Sequence, residues 1–187
     1  MSLEDVVNDH NESSFKTHSA LLVSILALVL AVSALGGSNA TKDATMENIQ
    51  ASNAYSFYQA KNQRQTSYKL AADQLEAQLI RNDLPKQARE ALQQQLAKYR
   101  ETVKRYESEP ETGEGKKELL AKAKMHEQNR DVAMKRDPWF DYAGALLQIA
   151  IVLTSLAIIT SRKFFFHLSV VLGALGTVFT VQGFFLL

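Results

Sequence analysis

The chain of 187 residues has no cysteine, only three prolines and eight glycines. Without cysteine there is no disulfide, no thiol nucleophile and no cysteine-ligated metal. The prolines stand at 85, 110 and 138, so nothing between 38 and 81 interrupts a helix. A dominant charge is missing too: 21 Lys and Arg against 20 Asp and Glu leave +1, which argues against a highly charged partner, nucleic acid included. Catalytic signatures are equally scarce. His10, His18, His126 and His167 form no HExxH, and none has a Glu three residues before it. The stretch GEGKK at Gly113 lacks the spacing of a phosphate loop, and GxSxG and GxGxxG are absent. These absences predict no enzyme, no cofactor and no metal site.

What the sequence does hold is apolar length. Ala20–Gly37, Ala143–Thr160 and Phe164–Leu187 are almost free of charge, and roughly 18–24 residues of helix cross ~30 Å of hydrocarbon. Val32-Ser33-Ala34 resembles a cleavage signature, but Glu4, Asp5, Asp9 and Glu12 precede a single Lys16, where a signal peptide wants a basic start. An uncleaved anchor is expected. The fold class is then an all-α membrane protein, with a long antiparallel helical hairpin, a coiled-coil stalk, between the first and second of three transmembrane helices. The divisions are a polar tail at 1–17, a span at 18–37, the extramembrane hairpin at 38–138, spans at 139–161 and 164–187, and a tight loop at 162–163.

Within the hairpin, a turn is expected at 82–85, with Asp83 capping the next helix and Pro85 in its first turn. A break at 108–115 carries a capping box between Ser108 and Glu111, and the last helix ends near Asp137-Pro138. Leu92, Leu96, Tyr99, Val103 and Tyr106 are spaced 4, 3, 4 and 3, a heptad seam. Tyr68, Ala72, Leu75 and Leu79 answer it. Matching heights at 1.5 Å per residue, an outgoing rise of about 65 Å pairs Leu92 with Leu75, Leu96 with Leu70 and Tyr99 with Tyr68. Closer to the apolar runs, Tyr55, Phe57 and Tyr58 fall against Leu119 and Leu120. The polar run Lys61–Gln65 faces the acidic break instead of a helix, so that Glu107, Glu109, Glu111 and Glu114 meet Lys61, Arg64 and Lys69. An alternative reads the rings and amides as a site for a ligand or another protein.

Small residues line two of the spans. Ser24, Ala27, Ala31 and Ala34 are spaced 3, 4 and 3, and Ser169, Gly173, Gly176, Thr180 and Gly183 are spaced 4, 3, 4 and 3. In lipid such seams allow close helix approach, and two of them suggest a homo-oligomer. The intramembrane polar residues Asp141, Gln148, His167, Thr177 and Gln182 are functional candidates, since polar groups are expensive there. Folding about the tight loop pairs Gln148 with Thr177 and Asp141 with Gln182, as structural glue or as the lining of a polar path. Trp139, Phe140 and Tyr142 read as an interfacial belt. Lys16, Arg162 and Lys163 favour a cytoplasmic N-terminus and an outward-facing stalk.

The segment NATKDATMENIQASNAYSFYQAKNQRQTSYKLAADQLE, residues 39–76, together with the C-terminal LGALGTVFTVQGFFLL, resembles the bacterial family called domain of unknown function 4337. The resemblance covers nearly the whole chain and implies an uncharacterised inner-membrane protein, with no catalytic residue to carry over. Partners expected from the whole reading are the lipid bilayer, further copies of the chain and a protein bound through the stalk. The expected function is a non-enzymatic scaffold, with an oligomeric channel or transporter as the alternative.

Overall fold

The computed structural model describes residues 3–186, with side chains from Ser13 onward. Met1 and Ser2 of the expected tail, Leu187 of the last span, and the side chains of Glu4, Asp5, Asp9, His10 and Glu12 lie outside the described residues. Among the described residues, the chain forms four helices and no strand: α1 (Leu3–Leu79), α2 (Lys86–Glu107), α3 (Lys116–Thr160) and α4 (Lys163–Phe185). Three of them, α1, α3 and α4, are long and apolar enough to cross a membrane.

Two boundaries differ from expectation. The tail is already helical from Leu3, and α3 runs through Pro138 without ending. Pro138 costs that helix one backbone hydrogen bond and points its ring outward. Packing directly after it anchors the helix: the Trp139 ring lies 5.5 Å from Phe179, and the buried Phe140 lies 4.9 Å from Phe184.

The chain divides into two compact units, one formed by the residues up to Thr45 with those from Asp131 onward, the other by Met46–Arg130. In the first, apolar unit, α4 buries Ser169, Gly173, Gly176, Thr180 and Gly183, the whole of the expected seam. Against it α3 presents Ala143, Leu147, Ala150, Thr154 and Ala157, all fully buried at the same 4, 3, 4, 3 spacing. Glycine allows the close approach where the helices touch: a Cβ on Gly173 would stand 2.4 Å from Leu26 Cδ2, and one on Gly36 would stand 2.4 Å from the ring of Phe140, so either side chain would have to move.

The seam expected on the first span requires correction. Ser24, Ala27, Ala31 and Ala34 are all exposed. The buried stripe of α1 is instead Ser19, Leu26, Ser33 and Ala40, spaced by seven. Gly36 is buried on the same side, so two stripes rich in small residues compete on this helix, and the one that packs is the one where Gly36 leaves room for the Phe140 ring. Ser33 also donates a hydrogen bond to the carbonyl of Phe140 at 3.4 Å.

In the second, polar unit, residues Ala51, Ala54, Tyr58, Lys61, Gln65, Tyr68, Ala72 and Leu75 alternate in steps of 3 and 4 and are buried or half-buried. The Tyr68 ring meets Tyr99 edge-on at 5.4 Å and Tyr106 at 5.8 Å. Leu75 and Leu119 are buried, while Leu92, Leu96 and Leu120 are half-buried. Leu70 and Phe57, placed by height in the seam, are 60% and 64% exposed. Each lies off the stripe, since 54, 58, 61 and 68, 72, 75 carry the contacts. Matching heights fixes level but not which side of the helix faces inward.

The turns use different caps from those expected. Asp83 does not cap α2; it accepts from Arg81 Nε and Nη2 at 3.2 and 2.8 Å, and the Arg81 guanidinium holds its carboxyl below the usual range. The end of α1 is closed from the next helix, where Arg89 donates to the carbonyls of Leu79 and Arg81 at 3.1 and 2.7 Å. Ser108 pairs with Glu118, not Glu111. Its hydroxyl donates to Glu118 Oε1 at 2.5 Å while the Glu109 N–H donates to Oε2 at 3.1 Å. Glu118 sits in the first turn of α3, where a carboxylate also suits the helix dipole.

Candidate functional site

The densest polar cluster is centred on Gln65, which is 2% exposed. Its Nε2 donates to the carbonyl of Val103 and to Glu107 Oε2, both at 2.9 Å, while its Oε1 accepts from Lys116 Nζ at 2.8 Å. Lys116 also lies 3.4 Å from Glu107. One amide thus joins α1 to the last turns of α2 and to the start of α3, with both its N–H donors and its carbonyl oxygen engaged. The Gln65 amide is the first cause holding the Glu107 carboxyl below its usual range, with Lys116 adding to it. This residue was expected to face a loop; it faces a helix carbonyl. The geometry of the cluster is that of a clamp between three helices.

Around the clamp, charge and aromatic rings alternate. Lys61 pairs with Glu109 and Glu114 at 3.8 and 3.5 Å and lies 5.1 Å from the centre of the Tyr106 ring. Lys116 lies 5.7 Å from the centre of Tyr58. Lys61 and Glu109 are half-buried, and ion pairs near the surface contribute ~0–1 kcal/mol each. Further along α1, the Tyr55 hydroxyl donates to Glu127 at 3.0 Å, and that bond raises its pKa. Glu47 accepts from His126 Nδ1 at 2.6 Å, in the tautomer that places the proton there. Among the described residues no three His, Asp or Glu side chains converge as metal ligands would.

The polar candidates on the apolar helices separate on inspection. Gln148 and Asp141 are exposed. Leu147 is the residue that meets Gly176, which turns Gln148 about 100° away; Asp141, seven residues earlier, points to the same side. Thr177 instead donates to Gly173 of its own helix at 2.8 Å, and His167 Nδ1 lies 2.6 Å from the carbonyl of Lys163. Gln182 is half-buried. A polar contact that joins α3 to α4, and that the spacing of polar residues did not single out, is at Thr154 and Ser169: their hydroxyls meet, and Ser169 donates to the carbonyl of Ala150 at 2.8 Å. Both sit on the buried 3–4 stripes, and that position was the available signal.

No curated protein and no solved structure matches the chain. A family described as a domain of unknown function matches residues 15–186, which take in the α1 segment through the Gln65 clamp and the α3–α4 pair with its buried small residues. The chain belongs to this family, domain of unknown function 4337.

Proposed function

We propose that this chain is a non-enzymatic integral membrane protein that presents the hairpin of its polar unit as a scaffold and self-associates through its apolar helices. The observation that carries the reading is an outward polar stripe on α3. Asp141, Gln148 and Ser155 are exposed and seven residues apart, so they share one face. Thr41 donates to Asp137 at 3.0 Å, and Leu30 lies 4.0 Å from the Cβ position of Gly144. Those contacts mark the flank where α1 meets α3, and by helical rotation the exposed Ser24, Ala27, Ala31 and Ala34 border the same groove.

Lipid cannot satisfy an amide such as that of Gln148, whereas a second copy offers a matching amide with both donor and acceptor. The small residues beside it allow a neighbouring backbone to approach. A single cysteine at Ala31, in a chain that has none of its own, is expected to crosslink on oxidation in proteoliposomes, while one at Leu26 is not. Equal crosslinking at both sites, or at neither, sinks the self-association.

The proposed location is a bacterial inner membrane, with the N-terminus cytoplasmic and the hairpin periplasmic, supported by Arg162 and Lys163 in a short connection. Labelling of Glu111→Cys by an impermeant maleimide in intact cells tests it; labelling only after lysis reverses the orientation. The same stripe supports a second reading, an oligomeric channel or transporter whose polar path it lines. Liposome flux that Gln148→Leu abolishes would select that reading, and absence of flux would remove it.

A further inference from the structure

The exposed Phe57 borders a cleft of about 500 Å³ in the polar unit, between α1, the loop after α2 and the first turns of α3. Its apolar side is Phe57, Ala60 and the buried Leu119; its polar side carries Lys61, Arg64 and Lys122, with Glu114 the one carboxylate. The charges are not equivalent. Lys61 is already matched by Glu109 and Glu114. Arg64 and Lys122 are exposed and, among the described residues, have no hydrogen-bond or ion-pair partner. Two positive charges therefore face a cleft whose apolar wall includes a phenyl ring that is 64% exposed.

The loop that closes the cleft is held before anything binds. Gly113 takes a φ of +69°, a conformation suited to glycine, and its N–H donates to the Glu109 carbonyl at 2.9 Å. The Glu114 N–H donates to Thr112 Oγ1 at 3.3 Å, and Glu118 ties down Ser108 and Glu109. A Cβ at Gly113 would meet nothing within 4 Å, so the loop leaves the mouth of the cleft open.

We propose that this cleft is a binding site for a small organic anion with an aryl or alkyl body. A guanidinium suits a carboxylate or phosphate through its planar fork, and an ammonium adds a second, more mobile charge. Phe57, Ala60 and Leu119 cover the apolar body, which explains a large ring left facing water on a helix whose seam lies elsewhere. A pocket of this volume with an apolar wall and a few convergent polar groups has the usual build of a small-molecule site. The proposal concerns the polar unit alone and stands whether or not the chain self-associates.

The test uses the full chain in nanodiscs, with 3-phenylpropionate and phenyl phosphate as probes and inorganic phosphate as the charge-only control, followed by ligand-observed NMR and calorimetry. Saturable binding of at least one aryl anion is expected, weakened about tenfold by Arg64→Gln, the loss of one charge-assisted contact. Lys122→Gln and Phe57→Ala are expected to weaken it as well. All three residues are exposed, and an unchanged thermal melt for each variant separates lost binding from lost folding. Inorganic phosphate binding as tightly as the aryl anions would overturn the proposal, because the ring would then contribute nothing. So would binding that none of the three variants changes, or no saturable binding of either aryl probe.

Discussion

In the apolar unit the residues at 3–4 spacing are Ala143, Leu147, Ala150, Thr154 and Ala157 against Ser169, Gly173, Gly176 and Thr180, while larger apolar side chains such as Leu28, Val152 and Phe164 are exposed. In the polar unit the same spacing carries Tyr58, Lys61, Gln65, Tyr68 and Leu75, and the exposed surface is mostly Gln, Lys, Glu and Arg. The spacing puts these residues on one face of each helix in both. The surroundings decide what fills it. With the apolar unit in hydrocarbon, as proposed above, helices gain little by hiding apolar groups, so close fit and tucked hydroxyls do the joining. Where the outside is water, rings and aliphatic chains go inward, and one buried amide must have all its hydrogen bonds made.

The largest effect expected from this contrast is at Gln65. Gln65→Met keeps the bulk and removes the bonds to Glu107 and Lys116, the latter with only 13% of its side chain exposed. A loss of about 3 kcal/mol from the polar unit is expected, since hydrogen bonds to charged groups contribute ~1.5–3 kcal/mol each. Thermal unfolding resolved by amide hydrogen exchange measures it, and a loss below about 1 kcal/mol would make the clamp decorative. Next is Gly36→Ala, which drives a methyl into the Phe140 ring. Overpacking of about 2 kcal/mol is expected, confined to the apolar unit. Protection lost equally in both units would break the comparison.

A smaller change, about 0.6 kcal/mol, is expected for Thr154→Val despite a fully buried hydroxyl pair, because polar contacts between helices in lipid are worth little net. A cost as large as that of Gln65→Met would erase the distinction between the units. The smallest effect is on pH. Glu107 and Glu118 have lowered carboxyl pKa values through Gln65 and Ser108. Their contribution is present above the unfolded glutamate value of about 4.3 and is lost as pH falls through the lower folded values. Melting of the polar unit should therefore drop slightly below about pH 4, with Glu118→Gln flattening the profile. The buried stripes of the apolar unit hold no Asp, Glu or His and should not respond.

Much of this was legible beforehand. The seam of α4 needed only its small residues, and the Tyr68–Tyr99 contact followed from matching heights along two helices of known rise. The first span was ambiguous because it carries two small-residue stripes, and the ring that chooses between them belongs to residue 140. Phe57 was misplaced because level along a helix says nothing of azimuth. Gln65 looked solvated amid Asn, Gln and Arg, although its place in the series 58, 61, 65, 68, 72 was a usable sign. The continuation of α3 through Pro138 depends on neighbours too distant in sequence to be read locally.

The Arg89 closure of α1 bears on how the polar unit assembles. It spans 8 and 10 residues, the Glu76–Arg100 pair 24, Gln65 to Val103 38, Gln65 to Lys116 51, and Tyr55 to Glu127 72. Each contact shortens the loop that the next must close, and closure entropy rises only slowly with the length that remains. The hairpin can therefore zip from its tip without a single costly long-range encounter, which favours fast folding over kinetic trapping. On that view Arg89, far from the clamp and from the cleft, governs the rate at which both come into being.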